Sequence, residues 1–175
     1  METNESTISV KSVSIKWGLI LGIISIALFL TIAIAQLQGN SAIQWFGYIP
    51  AILLIFLAHK EFKEQGDGFM SYGQGLGIGT LIVAISSAIS SVFAYVYIKF
   101  IDPTYMDIVK ELQVEEMMNS GMSDAEIEQA LEFSQGFMTP GFIMIMAFLV
   151  SVFFGFLISL VVSAITKNNN PALEV

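Results

Sequence analysis

The chain has no cysteine and no arginine, a single histidine, His59, and only 13 % charged residues. Without cysteine there are no disulfides, no thiolate metal sites and no thiol nucleophile. With one histidine, a Ser-His-Asp set would have to form around position 59, beside Lys60 and Glu61, where a lone histidine is expected to be solvated. Metal ligation there lacks neighbouring partners of the right type. Charge is also missing from four long stretches: Trp17 to Ala35, Ala42 to Ala58, Gly75 to Ile98 and Phe142 to Ile165. The ionisable groups by which pumps and proton-coupled carriers work within the membrane are therefore absent from these runs.

Those four runs hold 19, 17, 24 and 24 residues. At about 1.5 Å per residue each reaches roughly the thickness of a hydrocarbon core, about 30 Å, with the second the shortest fit. Mean hydropathy is +0.74 and 55 % of residues are hydrophobic, outside the range of an ordinary soluble domain. Lipid offers the backbone no hydrogen bonds, so uninterrupted apolar runs read as helices. The alternating pattern of a membrane barrel is absent. The expected fold class is an all-α membrane protein with four transmembrane helices. The layout is an amino tail (1–16), a helical hairpin of spans one and two (17–58), a short loop (59–74), span three (75–98), a long loop (99–141), span four (142–165) and a carboxyl tail (166–175). The first run is too long for a signal-peptide core, despite Ala33-Ile34-Ala35, and is expected to stay as a span.

Net charge is −8, and nearly all of it lies in one place. The loop 99–141 carries nine carboxylates, among them Asp107, Glu111, Glu126 and Glu132, against Lys99 and Lys110. Nucleic acid and anionic lipid are poor partners for it. Lys11, Lys16, Lys60, Lys63 and Lys167 share the opposite face, and lysines resist translocation, so both termini are expected in the cytoplasm and the acidic loop outside. Trp17 and Tyr72 would mark the inner border, Trp45, Tyr48, Tyr95 and Tyr97 the outer one.

Gly39-Asn40 predicts the turn between spans one and two, and Pro50 a bend in the middle of span two. Residues 66–72 read as a short interfacial segment. The acidic loop is too long to be structureless and reads as two short helices. Asp102-Pro103 would cap the first, with Tyr105, Ile108, Val109 and Leu112 on its apolar stripe and Asn119-Ser120-Gly121 ending it. Ser123 with Glu126 makes a capping-box pattern for the second, with Ile127, Ala130, Leu131 and Ser134 on its stripe. The result is a short acidic helical hairpin between spans three and four.

Small residues recur within the spans: Gly18 and Gly22 in the first; Gly75, Gly79, Ser87 and Ser91 in the third; Ser151, Gly155, Ser159 and Ser163 in the fourth. Such stripes let helix backbones approach closely, and packing within the chain is their expected use. The alternating glycines 73, 75, 77 and 79 lead directly into a span, with no strand before them as a phosphate loop requires. No cofactor is expected, and no enzymatic centre.

The passages Gly66-Asp67-Gly68-Phe69-Met70-Ser71-Tyr72, Ile89 through Pro103, and Met138-Thr139-Pro140-Gly141 resemble a family of small four-helix membrane proteins of unknown function from Bacteroidota-type bacteria. The likeness covers most of the chain. It implies a bacterial inner-membrane location and no catalytic or binding residues. The function expected is that of an accessory or scaffold protein, with Tyr105, Ile108, Leu112, Ile127 and Leu131 docking a membrane or periplasmic partner or the bundle itself. The alternative is a homo-oligomeric passive channel or permease lined by Ser87, Ser91, Ser159 and Ser163.

Overall fold

The structure, a computed structural model, describes residues 8–134, 136–137 and 139–170. The charges on Glu2, Glu5 and Glu174, and Met138, lie outside them. Regular structure among the described residues is helical apart from one antiparallel bridge between Met70 and Asn168: α1 (Val10–Ile34), α2 (Ser41–Phe46), α3 (Tyr48–Gln65), α4 (Tyr72–Val96) continued by a π-turn (Tyr97–Ile101), α5 (Tyr105–Asn119), α6 (Asp124–Ser134) and α7 (Pro140–Thr166). α1, α4 with its π-turn, and α7 are long and apolar enough to cross a membrane.

The helix ends follow local chemistry. α1 begins seven residues before the apolar run because Ser9 and Ser12 form a reciprocal capping box, so Lys11 and Lys16 lie within the helix. Its far end closes as a Schellman motif: Gln36 takes φ +54°, and Gln36 and Leu37 donate to Ala33 and Ile32. The reversal combines this motif with a second turn at Gln38-Gly39, where the Asn40 amide donates to the Leu37 carbonyl, beside the expected Gly39-Asn40. The Asn40 side chain also accepts from the Ile43 amide at the start of α2. α4 starts at a second capping box, Ser71 with Gln74, and α7 at Thr139 with Pro140 in its first turn.

The second apolar run is not one helix. It is split at Gly47 into α2 and α3, and Pro50 falls in the first turn of α3. A proline ring clashes with the carbonyl four residues earlier, here Phe46, so the interruption lands before Pro50 and not at it.

Residue pairings give the helix directions. Gly18 lies under Ile85 and Gly22 under Ile89, so α1 and α4 run parallel. Gly75 faces Ser163, Gly79 faces Ser159 and Gly155 faces Val83, so α7 runs antiparallel to α4. Tyr48 stacks near Phe154 and His59 meets Thr166, which sets α3 parallel to α7. The main core joins Val13, Leu21, Ile55, Phe62, Ile78, Ile82 and Val162 from four helices. Met70 is part of it, fully buried and paired with Asn168, so residues 66–72 fasten the ends of α4 and α7 instead of lying free at an interface.

At the other end, Phe29, Phe93, Tyr97 and Tyr105 form an aromatic cluster with ring separations of 5.3 to 6.4 Å, tying the first turn of α5 to α1 and α4. α5 begins two residues later than Asp102-Pro103 suggests, because the Asp102 carboxylate accepts from Thr104 in a local turn. It ends in a Schellman motif at Gly121, φ +81°. At α6 the Glu126 carboxylate accepts from both the amide and the hydroxyl of Ser123, at 2.8 and 2.7 Å.

Candidate functional site

The imidazole of His59 is fully enclosed, and not solvated as its flanking charges suggest. It belongs to the stripe Ile55, Ala58, His59, Phe62 that α3 turns into the core. Its Nε2 lies 2.9 Å from the Gly75 carbonyl and its Nδ1 2.7 Å from the Thr166 hydroxyl. A carbonyl can only accept, so Nε2 carries a proton. The neutral ring then accepts from Thr166 at Nδ1. The same hydroxyl is 2.8 Å from the Val162 carbonyl; were the ring to become an imidazolium, Nδ1 would donate and the hydroxyl would turn its proton to Val162. The node binds α3, α4 and α7 together. Next to it, Lys63 donates to the Thr166 carbonyl at 3.0 Å, and the buried Ser163 hydroxyl has no hydrogen-bond partner among the described residues.

Two residues on, on another face of α3, Glu61 accepts from Lys16 through both oxygens, 2.9 and 2.8 Å, and from the Trp17 indole at 2.8 Å. The lysine side is half exposed, so the ion pair contributes at most about 1 kcal/mol and mainly sets the register of α1 against α3. Glu61 faces away from His59, and the ring's partners include no carboxylate. Among the described residues no group of three or more His, Asp or Glu side chains gathers to hold a metal ion.

The small residues singled out in the spans lie along the α1–α4 and α4–α7 seams. Gly18, Gly22, Gly75, Gly79 and Gly155 each face a side chain of the neighbouring helix, and Ser87, Ser91, Ser159 and Ser163 are buried. Ser151 opens instead onto a crevice of 120 Å³ beside the helix break, which Ser25, Tyr48, Ser86, Ser87 and Ser90 also line. The hydroxyls there are largely spoken for: Ser25 and Ser86 pair at 3.3 Å, while Ser87 and Ser90 donate to carbonyls of their own helix.

A larger open cavity than that crevice lies elsewhere. Between α5 and α6 a groove of 600 Å³ is floored by Val114, Met118 and Leu131 and rimmed by Lys110, Glu111 and Glu115. Its lining among the described residues comes from α5 and α6 alone. Of the five docking candidates, Tyr105 is spent on Phe29 and Tyr97, Leu112 packs on Gly39, Ile127 is 5 % exposed and Ile108 half-buried; Leu131 alone lines this groove. Val114 and Met118 escape a reading of stripes because the α5–α6 pairing decides which face opens. Burial between the aromatic rings raises the Tyr105 pKa. The amide and hydroxyl of Ser123 hold that of Glu126 below the ordinary carboxylate range, so its cap on α6 is intact at neutral pH and is lost as pH falls through the depressed value.

No curated protein and no solved structure matches the chain. A family model does match, over residues 16–168, from the Lys16 contact with Glu61 to the Asn168 bridge with Met70. The match takes in α2 to α7 and all of α1 but its first six residues, and the chain belongs to DUF4199, a family of proteins of unknown function.

Proposed function

We propose that the chain is a four-crossing inner-membrane protein, both termini cytoplasmic, that serves as a non-enzymatic accessory subunit and takes a partner into the groove between α5 and α6. The fourth crossing rests on helix direction. Because α1 and α4 run parallel, residues 35–71 must return along the length of the bundle, and α2 with α3 makes that return. Its outward side carries Trp45, Phe46, Ile49, Ile52, Leu53, Phe56 and Leu57, all exposed, a surface suited to lipid. The lysine distribution supports the orientation.

The groove carries the functional reading. Its apolar floor, and a rim on which Glu111 and Glu115 outweigh Lys110, suit an apolar side chain presented by a basic segment of another protein. The channel alternative has weaker support, since Ser87, Ser91 and Ser159 along its supposed path donate to backbone carbonyls of their own helices. A photo-crosslinking amino acid at Met118 in native membranes should give one discrete heterologous adduct, lost when Leu131→Glu is added and absent with the crosslinker at Leu149. An adduct at twice the mass of the chain would contradict the accessory reading and favour a homo-oligomer.

A further inference from the structure

Three phenylalanines form a ladder from α6 into α7. The Phe133 and Phe137 rings are 5.5 Å apart, and those of Phe137 and Phe142 5.2 Å. Exposure rises along it away from the bundle, from 37 % at Phe142 to 47 % at Phe137 and 77 % at Phe133. Phe133 follows Leu131 by two positions, so at 3.6 residues per turn it points roughly opposite to the groove and away from α5. Neither burial in the protein nor the partner groove explains it.

We infer that Phe133 and Phe137 insert into the outer lipid interface and hold the carboxyl end of α6 down on the membrane. The occupant follows from continuity: the ladder is unbroken to Phe142, in the first turn of a helix whose exposed side, Ile145, Leu149, Phe153, is apolar throughout. The five residues 135–139 between α6 and α7 keep that end of α6 near the start of the crossing. Headgroup charge does not supply the attraction. No lysine or arginine occurs between residues 111 and 166, and α6 carries Asp124, Glu126, Glu128 and Glu132. An acidic helix without basic residues is held to an uncharged lipid surface by its apolar rings alone, and phenylalanine on the apolar face of an interfacial helix buries at the boundary of headgroups and acyl chains. With Phe133 down, the groove on the opposite face of α6 opens away from the bilayer, which makes this anchor an orienting device for the docking surface proposed above.

The inference rests on α7 crossing the membrane, and the test separates the two. The natural absence of cysteine allows single spin labels at Phe133→Cys, Phe137→Cys, Glu128→Cys and Leu149→Cys in phosphatidylcholine proteoliposomes. Collision with oxygen relative to a water-soluble nickel chelate reports depth. The labels at 133 and 137 should give ratios several-fold above that at 128, with 149 deeper still. Ratios at 133 and 137 equal to that at 128, with 149 in the acyl region, would overturn the anchor alone. A label at 149 in water would overturn the crossing of α7 and the anchor with it. Phe133→Trp quenched by brominated lipid, measured over the same protein without that tryptophan, reads the same depth with an aromatic ring retained; absence of quenching would overturn the anchor.

Discussion

Gly155→Leu should unfold the α4–α7 seam, lowering stability by about 3 kcal/mol or more. A β-carbon at 155 would lie 2.6 Å from the Val83 Cβ and 2.8 Å from its Cγ2. Valine in a helix is nearly confined to one rotamer, so the obstacle cannot swing aside, and the two backbones have to separate. Gly22 makes the useful contrast. There the nearest atom is Ile89 Cδ1 at 3.2 Å, the end of a flexible side chain, and Gly22→Ala should be nearly neutral. At Gly73, in the first turn of α4, nothing lies within 4 Å. Gly73→Ala should stabilise by up to about 1 kcal/mol through helix propensity. Thermal unfolding in mild detergent, followed by circular dichroism, orders the three. A Gly155→Leu midpoint equal to that of the parent chain would mean the seam is not closed as described.

His59→Ala should be the most damaging single change at a polar side chain, at about 2 to 4 kcal/mol. It removes the two hydrogen bonds to Gly75 and Thr166 and leaves a cavity where three helices meet. Removing one hydroxyl partner should cost far less. Cross-helix hydrogen bonds in membrane proteins average about 0.6 kcal/mol, so Thr166→Val is expected near that value, the Lys63 bond to the backbone carbonyl being kept. His59→Gln, with an amide N–H able to reach Gly75, should recover part of the loss. Hydrogen exchange gives a second reading. In His59→Ala the amides of Lys167 and Asn168, bonded to Ser163 and Met70, should exchange faster than in Thr166→Val. A His59→Ala protein as stable as Thr166→Val would show the ring to be a spectator.

Much of this bundle was legible before any coordinates. The uncharged runs mark the three long helices, the Asn119-Ser120-Gly121 stop falls where α5 ends, and Pro140 sits where α7 begins. Misplaced features came from reading composition where spacing or sterics decide. His59 looks solvated beside Lys60 and Glu61, yet it is the fourth residue after Ile55 and the third before Phe62, a helical stripe that already points inward. Pro50 suggests a bend at its own position, whereas its clash falls on Phe46 and breaks the helix at Gly47. The lysines at 11 and 16 seem to exclude those positions from α1, but a capped helix end tolerates them, with the Lys16 side chain reaching Glu61. The groove residues Val114 and Met118 were out of reach, because no local pattern says which faces of α5 and α6 meet.

With α2 and α3 together carrying the chain back across the membrane, as proposed above, the α5–α6 groove lies on the opposite side from both termini. Single cysteines at Asn40, Glu64 and Glu115, all exposed, test it in intact cells with a membrane-impermeant maleimide. Asn40→Cys and Glu115→Cys should react in intact cells, and Glu64→Cys only after permeabilisation. Reaction of Asn40→Cys and Glu64→Cys from the same side would contradict it, leaving three crossings and a broken helix that never traverses the bilayer.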